Sequence, residues 1–368
     1  MFWRALSVLV VATGACAVPF EALVGRKATT TTSAACPTYT VGPRLNATVP
    51  AAFETTRPSS GCYPNSAATI PTTFATAAQL KDWWCPETSE YGFLGFSHSV
   101  GNCPDAATLT HDFKLMATQY QARYVRIYSD TCSWRDASYP AALIDAAIAA
   151  KMGIHMVVWL GWNHGSQWKK QATYIQEAIA RDPRAAWVVR SVIVGSEVLL
   201  DAEISASSLI DQMAIMRRNL SRFGIPVSTS DQSYYLLKNP SVIAASDIVM
   251  PHLEPMFSKG QTTGDRAAPY VFSWLNQLRS AAPSKSIVSV QAGWASDPAS
   301  QPGAACVNIS VPSEQGYFEM LDDNCPRLKA LGAGWLWHTF TDWELGFGLL
   351  QYPSLAPKWP WQAPRQVC

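Results

Sequence analysis

Beyond Tyr91 the hydrophobic positions of this chain switch repeatedly between two periods. Short apolar or β-branched runs alternate with stretches whose apolar residues recur every three to four positions. The runs at 92–96, 124–128, 154–160, 188–194, 226–229, 247–250, 286–290 and 334–337 read as strands. Between them, Leu109, Phe113, Met116 and Tyr120 fall on one helical face, as do Leu209, Met213, Met216 and Leu220. Val271, Trp274, Leu275 and Leu278 line a third such face. Strands alternating with helices predict a parallel sheet with right-handed crossovers. Eight such units over about 260 residues match an α/β fold of the (β/α)8 TIM barrel type, which takes about 250. The competing open, doubly wound sheet calls for a glycine-rich phosphate loop after its first strand. That strand is followed here by SHSVGNCPD, with no G-x-G-x-x-G.

The pattern assigns the barrel to residues 83–368. Residues 18–82 are rich in Thr, Ala, Ser and Pro and hold no period, so they read as a low-complexity linker or small extension suited to O-glycosylation. The alternative is a small carbohydrate-binding module closed by Cys36–Cys62. Residues 1–17 combine Arg4, a short apolar run and the small-x-small site Ala15-Cys16-Ala17, the layout of a secretory signal peptide. No later run reaches the ~18 apolar residues of a membrane span, and the C-terminal KWPWQAPRQVC is not a lipid-anchor tail. The expected mature protein is secreted and soluble, extracellular or in a cell wall, and monomeric.

Cysteine usage fits that compartment. Of 9 Cys, the signal takes Cys16, leaving an even set for an oxidising environment. Pairing by sequence neighbourhood suggests Cys36–Cys62, Cys103–Cys132 and Cys306–Cys325, with Cys85–Cys368 tying the ends of the main domain. Sequons at Asn46-Ala-Thr48, Asn219-Leu-Ser221 and Asn308-Ile-Ser310 are expected glycosylation sites.

Charge removes several classes of partner. Lys+Arg is 28 and Asp+Glu 27, a net charge of +1, which leaves no footprint for nucleic acid or an anionic membrane. No C-x-x-C is present and the six His are scattered, so neither a metal site nor a cofactor is expected. Charged residues are 15% of the chain, against 15 Trp, 13 Tyr and 13 Phe. That balance suits a large core, or a surface for flat neutral ligands such as sugar rings.

Barrel chemistry sits where strands end. Those ends deliver Ser97 and His98, then Arg126, Tyr128 and Asp130, then Trp162 and Asn163, then Ser196 and Glu197. Further on come Asp231 and Tyr234, His252, Glu254 and Phe257, Gln291 and Trp294, and last Trp337, His338, Asp342 and Trp343. The set is acidic, amide and aromatic. Pyranoses pack their apolar faces on aromatic rings and pair their hydroxyls with carboxylates and amides. Glu197 follows an apolar strand, where partial desolvation would raise its pKa and suit it to donate a proton.

These residues carry a resemblance. YGFLGFSHS, YVRIYSDTC, VGSEVL, HLEPMF, QAGWASD and WHTFTDWELGFGL, in that order, are similar to glycoside hydrolase family 17, the secreted β-1,3-glucanases and glucan transglycosylases, above all the fungal members. The resemblance covers residue 83 to about residue 350. It implies that Glu197 is the acid/base, and that Ser196, Asp231, Tyr234, Phe257, Trp294, Trp337 and Trp343 contact a β-glucan. It also implies that the family's nucleophilic glutamate falls on Gln291. Glu254 stands where the family usually has His.

The glutamine has a chemical cost. Retaining glycosidases of this type use two carboxyls about 5 Å apart, and an amide is a poor nucleophile. Losing ~5 kcal/mol of transition-state stabilisation slows a reaction by roughly 10^3 to 10^4. Without a carboxylate at 291, Glu197 is also expected to be more fully ionised. No other Glu stands between Glu254 and Glu314, so a register slip cannot restore one. Glu254 is the first candidate substitute; Asp297 and an inverting reaction across a wider gap are the others. Three readings remain: a β-1,3-glucan hydrolase or transglycosylase, a glucan-binding protein that lost turnover, and a glycosylated structural wall protein.

Overall fold

The runs of the sequence become eight parallel strands: β1 (Gly92–Ser99), β2 (Tyr124–Tyr128), β3 (Gly153–Val158), β4 (Val189–Ser196), β5 (Val227–Gln232), β6 (Met250–Leu253), β7 (Ile287–Ala292) and β8 (Ala333–Trp337). In this computed structural model each pairs with the next and β8 returns to β1, closing a barrel. The described residues are 41, 61–129, 132–161, 165–344, 346–365 and 367–368. The signal segment, most of residues 18–60 with Cys36 and Asn46, and Asp130, Trp162 and Asn163 lie outside them.

The intervening helices are α1 (Ala77–Trp83), α2 (Ala106–Thr118), α3 (Tyr139–Ala150), α4 (Gln167–Arg181), α5 (Ala206–Asn219), α6 (Ser233–Lys238), α7 (Pro240–Ala245), α8 (Ala268–Ala281), α9 (Val311–Asp323) and α10 (Cys325–Leu331). Among the described residues, no helix is long and apolar enough to cross a membrane. The faces read from the sequence are the ones buried: Leu109, Phe113 and Met116 on α2, and Val271, Leu275 and Leu278 on α8. Strands covered by helices outside and side chains inside must be apolar almost throughout. Every strand residue is buried except Gln232 and Gln291.

Several strand ends differ from the sequence reading, among them those of β5 and β6. The paired part of β6 is Met250–Leu253 rather than 247–250, and β5 runs on to Gln232 rather than stopping at Thr229. In both cases the ladder continues from the apolar run into polar residues that line the upper mouth. Hydrophobicity alone locates the core-facing part of a strand, not its last hydrogen-bonded residues.

The opposite end of the barrel is sealed. Glu90 and Arg190, both buried, pair at 2.9 Å, and the Tyr124 hydroxyl donates to Glu90. Residues 61–85 lie against this end. Tyr63 donates to the Met152 carbonyl at 2.7 Å and Trp83 to that of Trp187 at 2.7 Å, with Cys62–Cys85 closing the segment.

The disulfides correct three of the four expected pairs. Cys103–Cys132 forms as expected. Cys62 joins Cys85 instead of Cys36, because the Tyr63–Trp84 bridge brings those backbones together. Cys325, at the start of α10, joins Cys368 instead of Cys306, because the C-terminal segment folds back there. Cys85–Cys368 is thereby excluded too, and Cys306 is disulfide-bonded as well. Arg365 reinforces the return, pairing with Asp322 and Asp323 at 3.3 and 2.8 Å.

Candidate active site

At the end of β4 the backbone bends sharply. Gly195 has φ 81° and Glu197 φ 60°, the left-handed region that a glutamate adopts only when its surroundings hold it there. Two contacts do so. The Glu197 amide donates to the Ser230 carbonyl at 2.9 Å. One Asp231 oxygen accepts from the Leu199 amide and the other from the Gln232 amide, each at 2.8 Å. Burial pushes the Asp231 carboxyl up to about 7. Asp231 is 0% exposed, so it is a brace beneath the site and not the sugar contact expected from its position.

Above that brace runs a continuous chain of side-chain hydrogen bonds. Arg126 on β2 donates to Ser196 Oγ at 2.6 Å and to Gln291 Oε1 at 3.1 Å. Gln291 on β7 donates from Nε2 to Glu254 Oε1 at 3.1 Å. Gln232 on β5 donates from its single Nε2 to Glu254 Oε2 at 3.1 Å and to Glu197 Oε1 at 3.2 Å. His252 on β6 closes the chain, with Nδ1 2.9 Å from Glu197 Oε1. Because Arg126 has only donors, it fixes the orientation of the Gln291 amide and aims the NH2 group at Glu254.

The two carboxyls differ in charge. Burial works to raise Glu197, but hydrogen bonds from His252 and Gln232 and the charge of Arg126 hold it below the ordinary carboxylate range. Burial raises Glu254 well above that range, and the negative charge of Glu197 adds to the effect. Of the two, Glu197 is the stronger acid and Glu254 the weaker. Burial lowers His252, which is neutral and donates its Nδ1 hydrogen to Glu197. Burial also lowers Arg126, to about 10.

A third carboxylate joins from the loop after β8. Tyr128 donates to Glu344 Oε2 at 2.6 Å and His338 Nε2 lies 3.5 Å from the same oxygen. Burial would raise Glu344, but His338 and Tyr128 hold it below its usual value, so it is anionic. The loop itself is anchored by Asp342, whose Oδ1 accepts from the Gly346 and Gly348 amides at 2.8 Å and from Lys358 at 3.1 Å. Lys358 also reaches Ser296 at 2.7 Å and Glu314 at 3.2 Å.

Despite that cation, complete burial pushes the Glu314 carboxyl up to about 8. A raised folded-state value means that stability is full below the unfolded value near 4.5 and is lost as pH rises towards 8. Glu314→Gln should therefore leave stability unchanged at pH 4 and raise it by about 3 kcal/mol at pH 7. Urea denaturation of both proteins at a series of pH values measures the difference. A gain that does not grow with pH contradicts it.

Other expected site residues fall elsewhere. Trp294 and Trp337 are 0% exposed. The Trp294 indole donates to the Asn308 carbonyl at 3.0 Å and lies on Tyr317, under the segment leading to α9. Trp337 is packed against Phe318 and Trp359. Both are wall residues, which corrects their assignment as sugar platforms. Ser196 is buried and spent on Arg126. Tyr234 and Trp343 are exposed and Phe257 is half-buried, so these three keep free surface. Asp297 accepts from Ala299 and Ser300 within its own turn, and does not join the carboxyl pair.

Gln232 and Glu344 were not singled out from the sequence. The first lies between Asp231 and Tyr234, which the strand-end reading includes, and nothing in its type or spacing marks it; the second stands beside Trp343 and could have been found by extending the β8 inventory one position. One oxygen from each of Glu197 and Glu254 and one nitrogen of His252 lie within 4.8 Å of one another, a set that could hold a metal ion. Those atoms are already hydrogen-bonded to each other or to Gln232, contacts an ion would have to displace.

A family model described as the BtgE/BtgC glycoside hydrolase domain matches residues 93–344. The probable glucan endo-1,3-β-glucosidase btgC of Aspergillus terreus (strain NIH 2624 / FGSC A1156) is 25% identical over 229 residues, 59% of this chain and 33% of that protein. The chain thus matches about a third of that relative's length. The glycoside hydrolase family 17 β-1,3-glucanosyltransferase from Rhizomucor miehei superposes with a TM-score of 0.62 at 21% identity, covering 75% of this chain and 98% of that one. An active-site mutant of the Rhizomucor miehei enzyme in complex with laminaritriose gives 0.59 at 21% identity with the same coverage. At that identity the likeness is one of fold.

Proposed function

This chain belongs to the BtgE/BtgC glycoside hydrolase domain family, and we propose that it cleaves or transfers β-1,3-glucan with Glu197 and Glu254 as its carboxyl pair. The observation that carries this reading is the spacing. An oxygen of Glu254 stands within 4.8 Å of one of Glu197, close to the separation of about 5 Å used in retaining chemistry. Gln291, at the position of the missing nucleophile, holds Glu254 by a 3.1 Å hydrogen bond. Protonation then assigns the roles. A general acid must carry its proton at working pH, and a nucleophile must not. Glu254 donates to the departing glycosidic oxygen, and the Glu197 carboxylate attacks the anomeric carbon. This exchanges the roles that the family resemblance implies. Glu344 adds negative charge that favours an oxocarbenium-like transition state.

The test is release of reducing sugar from laminarin by the purified protein and by Glu254→Gln. The expected result is turnover in the parent and a loss of about 10^3 or more in the variant. Equal rates would overturn the assignment. The rate should also fall at high pH, as Glu254 loses its proton, along a limb well above the ordinary carboxyl range. A second reading, glucan binding without turnover, is supported by the 4% exposure of Glu254. Calorimetric binding of laminarin with no reducing sugar from the parent would select it. Secretion is part of the proposal, and the disulfides, which persist in oxidising compartments, support it.

A further inference from the structure

The C-terminal segment sends one side chain back into the molecule. The Lys358 amide donates to the Leu349 carbonyl at 3.0 Å and Pro357 bridges to Leu350, so this segment runs along the returning limb of the loop after β8. From there the Lys358 ammonium reaches inward, its side chain 5% exposed. An ammonium has three hydrogens to place, and burial makes an unplaced one costly. Three acceptors converge on this one. They are Ser296 Oγ at 2.7 Å, from the loop after β7; Asp342 Oδ1 at 3.1 Å, from the loop after β8; and Glu314 Oε2 at 3.2 Å, from the first turn of α9.

Two of these acceptors act on one turn. Asp342 Oδ1 also accepts from the Gly346 and Gly348 amides. The Gly346 carbonyl accepts from the Ser296 amide at 2.7 Å and from its hydroxyl at 3.1 Å. The wrap is close: a Cβ on Gly348 would stand 2.1 Å from the Asp342 nitrogen. Glu344 lies within this turn. Tyr128 and His338 hold its carboxylate, while its backbone is held by the turn, and the turn by Lys358. We propose that Lys358 is a positioning residue for the reaction: it fixes the turn, and through the turn sets where the Glu344 charge stands relative to the reacting sugar. The proposal rests on the reading of Glu344 as a charge that favours an oxocarbenium-like transition state. Such a charge acts more on the transition state than on bound substrate, so its displacement lowers kcat. Tyr128 and His338 still hold the carboxylate when the lysine is gone, which keeps the loss to about tenfold.

The experiment is a double-mutant cycle on laminarin, with kcat and KM measured for the parent, Lys358→Met, Glu344→Gln and the two combined. Methionine keeps the buried aliphatic stem and removes the charge. The expected result is a kcat about tenfold lower in Lys358→Met with KM within about twofold, and a further loss of less than about twofold when the same change is made in Glu344→Gln. An equal loss in both backgrounds, an unchanged kcat, or a loss that falls on KM overturns the proposal. If Lys358→Met does not fold, Ser296→Ala replaces it in the cycle. It removes one link between the ammonium and the turn, with a loss of about threefold expected in place of tenfold. Full parental turnover in Glu344→Gln overturns the charge role of Glu344, and this proposal with it, while the carboxyl pair stands. No turnover by the parent overturns the cleavage reading itself and everything that rests on it.

Discussion

Replacing Glu197 with alanine is expected to lower turnover of an aryl β-laminarioside by about 10^4-fold, the rate equivalent of ~5 kcal/mol of transition-state stabilisation. Glu197 is the more exposed of the two carboxyls, its side chain 23% accessible against 4% for the whole of Glu254. It is also the one that His252, Gln232 and Arg126 keep ionised. Removing it leaves the proton on Glu254 with nothing to attack the opposite face of the sugar. Added azide should then restore part of the rate, entering the space left by the carboxylate. Azide arriving from that face gives the α-glycosyl azide. The β-glycosyl azide would mean that Glu197 served as the acid/base and Glu254 as the nucleophile, reversing the roles assigned from their charges. The distinction is read directly by proton NMR of the product.

The second large effect lies at the other end of the barrel. Glu90→Ala is expected to cost about 3–5 kcal/mol of stability, because it strands the Arg190 guanidinium in a site that is 6% exposed. Arg190 has Glu90 at 2.9 Å and the Trp84 ring beneath it. The double variant Glu90→Leu, Arg190→Met should lose less than the single one, since it removes both charges. Urea denaturation midpoints of the parent and both variants measure this, and a single variant as stable as the double would contradict it. Burial alone would raise Glu90, but Arg190 and Tyr124 hold it below its ordinary value. The stabilisation from this pair is therefore present above the unfolded carboxyl value near 4.5, and disappears as pH falls through the lower folded value.

These two regions were legible from the sequence to different degrees. The barrel followed from alternating periods, because each strand and each helix must bury its apolar face separately. Glu197 and Gln291 could be marked as strand-end residues for the same reason. Arg126 was visible at the end of β2, yet its partners were not. Its bonds to Ser196 and Gln291 span 70 and 165 positions. The charge of Glu254 was equally hidden. It depends on how much water reaches the carboxyl and on the distance to Glu197, 57 positions away along the chain. The aromatic residues show the reverse error. Trp294 and Trp337 lie at strand ends and Trp343 six residues beyond one, but α9 and the C-terminal segment cover the first two and leave the third open.

By itself the sequence determined the closed parallel barrel, the faces of α2, α5 and α8 that pack on it, and the absence of a glutamate at position 291. These are local properties, set by residue type and spacing within one element. Only the tertiary structure decided which cysteines meet, that Gln232 links Glu197 to Glu254, and that Glu254 is the more deeply buried of the two. Those outcomes depend on distances between residues on different strands and on their exclusion from water, and neither quantity exists until the barrel closes.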